Sequence, residues 1–288
     1  MQLKLLKNKG VETLMRVYPD QEAGEIVFAC LEHFAGTKRH THIVEPQYEV
    51  SEEAVVRVMA AFDRLSAGEP LQYVTGEAYF YGRTFSVTSD TLIPRPETEL
   101  LCRLALDGLS LRSPSVLDLC TGSGCIAWTL ALELPRAQVT AVDISDGALA
   151  VASSQDFSEE ISRTGAVAPA FIKTDVLAGP SSFADKKYDL IVSNPPYVAD
   201  SEKISMDANV LEWEPSLALF VPGADPLLFY RKIGELAFEM LAEDGALYFE
   251  INQAYGMDTV NMLKALGYGQ VELRKDAWGN DRMVKAIR

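Results

Sequence analysis

From Ser115 onward, short apolar runs alternate with helical patterns, and that alternation restricts the fold more than any other feature of the chain. The runs fall at residues 116–119, 139–142, 170–173, 190–192 and 246–251. Such alternation predicts an α/β domain whose parallel sheet is covered by helices on both faces. The stretch that follows, 270–273 and 283–287 around Asp276-Ala277-Trp278-Gly279-Asn280-Asp281, reads instead as two strands joined by a turn. A terminal antiparallel hairpin of that kind is unusual for a dinucleotide-binding fold.

Residues 1–75 carry helical periodicity without convincing strands. One helix is expected over 23–34, and a clearer one over 52–65, where Ala54, Val55, Val58, Met59, Phe62 and Leu65 share a face behind the N-cap candidate Ser51. Gly68-Glu69-Pro70 closes this region. Ala78-Tyr79-Phe80-Tyr81, Gly82-Arg83 and Thr84-Phe85-Ser86-Val87 then read as a β-hairpin, and Ile93-Pro94-Arg95-Pro96 ends extended structure and opens a helix with proline in its first turn. The expected division is a helical substrate-recognition domain over 1–75, a hairpin linker over 76–94 and a catalytic domain over 95–288.

A chain of 288 residues that is 48% hydrophobic can fill one large core and one small one. With 26 Lys+Arg against 41 Asp+Glu, its formal charge of −15 repels free nucleic acid and suits a basic protein partner, including one that itself binds RNA. Cys30, Cys102, Cys120 and Cys125 show no CxxC spacing, so neither zinc nor a disulfide framework is indicated, and no metal is expected. No segment reaches the ~18 apolar residues of a membrane span. A cytoplasmic monomer without membrane or direct nucleic-acid contacts is the expectation.

Val116-Leu117-Asp118-Leu119 runs into Cys120-Thr121-Gly122-Ser123-Gly124 and then into Cys125-Ile126-Ala127, a strand, a glycine-rich turn and a helix. Glycines there let the backbone approach a ligand closely, and Asp143, after the next strand, can accept both hydroxyls of a ribose. An adenosine-containing cofactor follows. NAD and S-adenosylmethionine both fit the loop, because Gly122-Ser123-Gly124-Cys125-Ile126-Ala127 also satisfies GxGxxA with an acid about 20 residues on. Asp118 favours S-adenosylmethionine, since a carboxylate there suits a cationic amino-acid tail and would repel a pyrophosphate. A turn built for packing alone, with Asp143 as a helix N-terminal acid, is the plainer alternative.

The most specific signal is Asn194-Pro195-Pro196-Tyr197 after the apolar strand Asp189-Leu190-Ile191-Val192-Ser193, at the carboxyl end where open α/β sheets bind ligands. A planar amide or amino nitrogen is a poor nucleophile that needs aiming more than it needs a base. The Asn194 side-chain oxygen and the Pro195 carbonyl can each accept one N–H of an –NH2 group. Tyr197 can pack against the planar group. His33, His40 and His42 all lie far from this loop in sequence, and Glu97 and Glu99 read equally as first-turn helix acids or as neighbours of the site.

With both motifs in hand, the chain resembles the release factor glutamine methyltransferases. The resemblance spans Pro70-Leu71-Gln72-Tyr73-Val74-Thr75-Gly76, Thr91-Leu92-Ile93-Pro94-Arg95-Pro96-Glu97-Thr98-Glu99, the segment 118–124, Asn194-Pro195-Pro196-Tyr197, Glu214-Pro215 and Gly279-Asn280-Asp281-Arg282. It implies a Rossmann-like methyltransferase sheet, S-adenosylmethionine as cofactor, and class I peptide chain release factors as partners, methylated on the glutamine of their Gly-Gly-Gln motif. It places cofactor contacts on Cys120, Thr121, Gly122, Ser123, Gly124, Asp143 and Asn194, with Asp118, Asp175 and Val176 as further candidates. The family often carries glycine at Cys120, Asp-Gly-Leu at Asp225-Pro226-Leu227, and tryptophan at Val176. Rival functions are a methyltransferase acting on a ribosomal-protein glutamine, a DNA adenine methyltransferase, which would need a basic cleft, a nicotinamide dehydrogenase and a noncatalytic binding protein.

Overall fold

The structure is a computed structural model that describes residues 1–109, 113–179, 183 and 185–288. It divides into two compact units, Met1–Glu77 and Ala78–Arg288.

The first unit is helical. Helices Leu3–Leu14, Asp20–Ala35 and Glu52–Ser66 enclose a core of Leu6, Leu14, Val27, Val58, Phe62 and Leu65. Ser51 caps the third helix as its sequence predicts, its Oγ accepting from the Ala54 N–H at 3.2 Å. A close approach explains Gly10, where a Cβ would sit 2.5 Å from the fully buried Phe62 ring.

The second unit opens with the hairpin β1 (Glu77–Phe80) and β2 (Arg83–Ser86). Sequence reading makes this hairpin a linker, but Phe80 and Phe85 are fully buried in the same cluster as Trp128 and Leu130. Its turn is fixed by Glu99, which accepts the Tyr81 N–H at 2.9 Å, and Arg83 bonds Glu160 at 2.6 Å. The hairpin is therefore part of the larger unit's core. Alternating buried aromatics give it that place, because a two-stranded ribbon is not stable alone in water.

The remaining strands are β3 (Ser115–Leu119), β4 (Gln138–Asp143), β5 (Ala170–Lys173), β6 (Tyr188–Ser193), β7 (Leu241–Glu250), β8 (Gln270–Lys275) and β9 (Asp281–Ile287). They form one sheet in the order β5-β4-β3-β6-β7-β9-β8. Strands β5 through β7 pair in parallel, while β9 runs antiparallel to both β7 and β8. The predicted terminal hairpin is thus present. β7 begins five residues before the apolar run at 246 and stops at Glu250, short of the expected Ile251.

The chain leaves β3 toward β4 and β5, then returns to the other side of β3 as β6, which creates the switch point where such sheets hold ligands. In register, Leu119 lies beside Val142 on one side and Ser193 on the other, so the segments after β3, β4 and β6 leave the sheet at one level. The Ser193 hydroxyl donates to the Leu119 carbonyl at 2.6 Å and stitches two of them together. No helix among the described residues is long and apolar enough to cross a membrane.

Candidate active site

Above these strand ends lies a cavity of about 630 Å³, within the range of small-molecule sites. The glycine-rich loop supplies Cys120, Thr121, Gly122 and Ser123, the end of β4 supplies Asp143, the segment after β5 supplies Asp175 and Val176, and the loop after β6 supplies Asn194 and Pro196. All nine are residues that the sequence singles out. Gly124 lies just behind, at φ +80 with an added Cβ falling 3.0 Å from Ala152, so its glycine is required for helix packing.

Asp143 is held by two backbone donors, the N–H of Gly122 to Oδ2 and of Ser145 to Oδ1, both at 2.9 Å. Each oxygen keeps a lone pair for a ligand diol. Burial pushes this carboxyl above its ordinary value, opposed by those backbone donors. Asp118, by contrast, does not reach the cavity. It is fully buried beneath the loop, where Oδ2 accepts from the Thr121 hydroxyl at 2.6 Å and Oδ1 has no hydrogen-bond partner among the described residues. The expectation that Asp118 meets the cofactor tail is corrected accordingly: it holds Thr121, which faces the cavity.

Cys120 has φ +64, in the left-handed region where a Cβ is unfavourable, which gives a physical reason for the glycine often found at this position.

Around Asn194 a chain of polar groups is assembled that sequence reading does not identify. Asn194 Nδ2 donates to Thr98 Oγ1 at 3.2 Å, and Thr98 Oγ1 donates to Glu250 Oε2 at 2.7 Å. Among the described residues this leaves Asn194 Oδ1 as the unengaged end of the carboxamide of a residue that lines the cavity. Glu97 and Glu99 stay outside the cavity wall, while Thr98 between them lines it. Tyr197 also departs from expectation. Its ring packs on the core around Tyr230 and Phe249, its hydroxyl lies 3.5 Å from Glu250 Oε1, and it does not line the cavity, nor does Pro195. The backbone there is held by Asn252, whose Nδ2 donates to the Tyr197 carbonyl at 3.3 Å.

A second strap crosses the same cavity. Val198 and the 219–221 segment exchange backbone bonds, and the nearly buried Glu214 accepts from Arg95 Nη2 at 2.5 Å and from the Ile93 N–H at 3.3 Å. Glu214 thereby ties the segment that begins at Pro215, which lines the cavity through residues 215–218 and 220–222, to Ile93 and Arg95.

Comparison with known proteins agrees with this geometry. Residues 98–212 match the Methyltransferase small domain, and residues 6–76 match the PrmC N-terminal domain. The release factor glutamine methyltransferase of Flavobacterium psychrophilum is 40% identical over 99% of both chains, and that of Bacteroides thetaiotaomicron is 48% identical over 78% of both. The chain belongs to the release factor glutamine methyltransferase family. It is a methyltransferase, and its methyl donor is S-adenosylmethionine. The fold is shared with the hMettl16 catalytic domain bound to the MAT2A 3′UTR hairpin 6, at a TM-score of 0.55 and 13% identity over 82% of each chain.

The donor set suits that cofactor. Asp143 can take the ribose hydroxyls, and the apolar surfaces of Ile144, Val176 and Leu177 can receive an adenine. Asp143→Ala is expected to weaken cofactor binding roughly tenfold to a hundredfold, as loss of a charge-assisted hydrogen bond implies. Titration calorimetry giving an unchanged Kd would reduce Asp143 to a loop-holding role.

The family site also carries an acid-base signature. Burial pushes Asp118 up to about 7 against the Thr121 hydroxyl, and pushes Glu250 up to about 7 against the Thr98 hydroxyl and Arg282. In the unfolded chain these carboxyls return to 3.8 and 4.5. Between those values and 7 the folded chain keeps protons that the unfolded chain has lost. Their contribution to stability is therefore present at low pH, falls as pH rises through this window, and stays lost above it. Thermal unfolding should shift upward on going from about pH 7.5 to about pH 6, and the Asp118→Asn, Glu250→Gln double variant should show a smaller shift. Equal shifts in the two chains would mean that neither carboxyl is responsible.

Proposed function

We propose that this enzyme transfers a methyl group from S-adenosylmethionine to the N5 side-chain amide of the glutamine in the Gly-Gly-Gln motif of class I peptide chain release factors. The observation that carries the reading is that Asn194 lines the cavity with its NH2 end tied to Thr98, so that Oδ1 is the end of the carboxamide left to accept an N–H. The residues assigned to the cofactor are Cys120, Thr121, Gly122, Ser123, Asp143, Asp175 and Val176, with Asp118 and Gly124 supporting them from behind.

When bound, the cofactor supplies an electrophilic methyl on a sulfonium. Everything else falls to the chain. Asn194 Oδ1 accepts one N–H of the glutamine amide, and the carbonyl of Pro195, which lies outside the cavity lining between the lining residues Asn194 and Pro196, is assigned the other; together they fix the plane of the amide and aim its nitrogen. Pro195 has no N–H to compete, and both prolines are buried, so the loop cannot relax away. Positioning supplies most of the acceleration, because in-line attack by a delocalised nitrogen needs alignment. The same two acceptors bear partial negative charge and stabilise the positive charge growing on nitrogen. The departing proton becomes acidic as the C–N bond forms, so no histidine base is needed.

Tyr197 supports the loop through its ring and through Asn252, and walls the back of the site. The helical unit 1–77 is assigned to recognition of the release factor, whose glutamine loop must be delivered to the cavity. The acidic chain, at a formal charge of −15, suits a basic protein partner.

Incubating the protein with methyl-labelled S-adenosylmethionine and, separately, with a release factor, ribosomal proteins and DNA tests the assignment. Label is expected on the release factor, on the Gly-Gly-Gln glutamine by peptide mapping. Label confined to a ribosomal protein or to DNA would move the substrate accordingly.

A further inference from the structure

Glu250 sits at the carboxyl end of β7, only 1% exposed, and no part of the transfer described above uses it. Thr98, 3% exposed, separates it from Asn194. The hydrogen-bond arithmetic of these three residues is tightly constrained. An ionised carboxylate only accepts, a hydroxyl has one proton to give, and a carboxamide is a donor at one end and an acceptor at the other. With Thr98 Oγ1 and Glu250 Oε2 at 2.7 Å, the hydroxyl proton lies between them whenever Glu250 is ionised. The lone pairs of Thr98 then face Asn194, and only its NH2 end can meet them, at 3.2 Å.

Turning the Asn194 amide over would set its oxygen against the Thr98 oxygen and turn NH2 toward the cavity. There it would oppose the NH2 of the substrate, donor against donor. We propose that Glu250, acting through the Thr98 hydroxyl, is a positioning residue that locks the Asn194 carboxamide with its oxygen toward the substrate amide. This rests on the assignment of Asn194 as an acceptor for the glutamine amide. Neither Thr98 nor Glu250 touches the reacting atoms in this scheme. Around Glu250, burial and Glu97 oppose its ionised form, while the Thr98 hydroxyl, the nearby Arg282 and the Tyr197 hydroxyl at 3.5 Å favour it.

Thr98→Val keeps the shape and deletes the relay, so Asn194 is free to flip. Methyl transfer is expected to fall by at least about tenfold, with cofactor Kd within about twofold of the parent, since alignment alone is lost. Thr98→Ser should recover most of that loss. Glu250→Gln, which can accept from or donate to Thr98, should fall between the two. The readout that does not depend on turnover is the Asn194 side-chain amide pair in ¹H–¹⁵N spectra of the cofactor-free protein. One of its protons should be shifted and protected by the bond to Thr98, the shift vanishing in Thr98→Val and persisting in Thr98→Ser.

Asn194→Ala run alongside separates the two ideas. If Asn194→Ala is as active as the parent, the substrate-acceptor assignment fails. If Asn194→Ala is inactive while Thr98→Val transfers methyl normally, or if the Asn194 amide signals are the same in Thr98→Val and the parent, the relay alone is overturned. Should Thr98→Val not fold, the parent spectrum still decides, because unshifted and unprotected Asn194 amide protons contradict the lock.

Discussion

Asn194→Ala is expected to bind S-adenosylmethionine almost as the parent does and to transfer methyl roughly a hundredfold more slowly, or worse. The substitution removes one of two acceptors for the glutamine amide, introduces no charge, and leaves the buried Pro195 and Pro196 to hold the loop. Single-turnover rates with a release factor check it, and a near-parental rate would make the loop merely structural. Asn194→Asp is the sharper variant. It still offers an oxygen to the substrate, but it has no NH2 for Thr98, so the introduced carboxylate sets a third oxygen beside Thr98 and Glu250. It also adds a negative charge that attracts the sulfonium before the reaction and alters the charge balance the transition state needs. The Asn194→Asp variant should therefore bind cofactor and turn over poorly.

Removing residues 1–77 is expected to leave cofactor binding intact while abolishing measurable methylation of whole release factor. The helical unit buries Leu6, Val27, Val58 and Phe62 among its own residues, and the catalytic unit has two clusters of its own. Each therefore has the burial needed to hold its shape. None of the cavity residues comes from the first 77, so the chemistry survives the cut and delivery of the substrate does not. Comparing the truncated and full chains on whole release factor, with calorimetry for the cofactor, checks this. Equal methylation by both would refute the recognition role.

Much of the sheet is legible in the sequence because its parallel strands carry short, mostly apolar runs, and the loops with special chemistry follow directly from strands. Nine of the residues singled out from sequence line one cavity. What escapes the sequence shares a cause. Thr98 and Glu250 matter through a partner about 150 residues away in sequence, a contact that periodicity and motif spacing cannot register. Glu250 does leave one trace, a lone acid closing the run Ala246-Leu247-Tyr248-Phe249 at the ligand end of the sheet. Adjacency to a motif puts Asp118 and Tyr197 at the cavity only if neighbouring residues face the same way. In a strand successive side chains point to opposite faces, and in a tight loop anchored by Asn252 a ring can turn back to the core. The hairpin reads as a linker because pattern shows which residues alternate, but not what covers them.

The position of β9 bears on how the protein is made. It is the last strand in chain order, yet it lies inside the sheet, with Met283, Val284 and Ala286 buried and β8 outside it. During synthesis, β3 through β7 can assemble, but the backbone edge of β7 stays open until Asp281–Ile287 has left the ribosome. An open edge on a half-made parallel sheet is a site for pairing with other chains. The nascent enzyme is thus exposed to misassembly until β9 has emerged, and shortening that strand should harm yield more than activity per folded molecule.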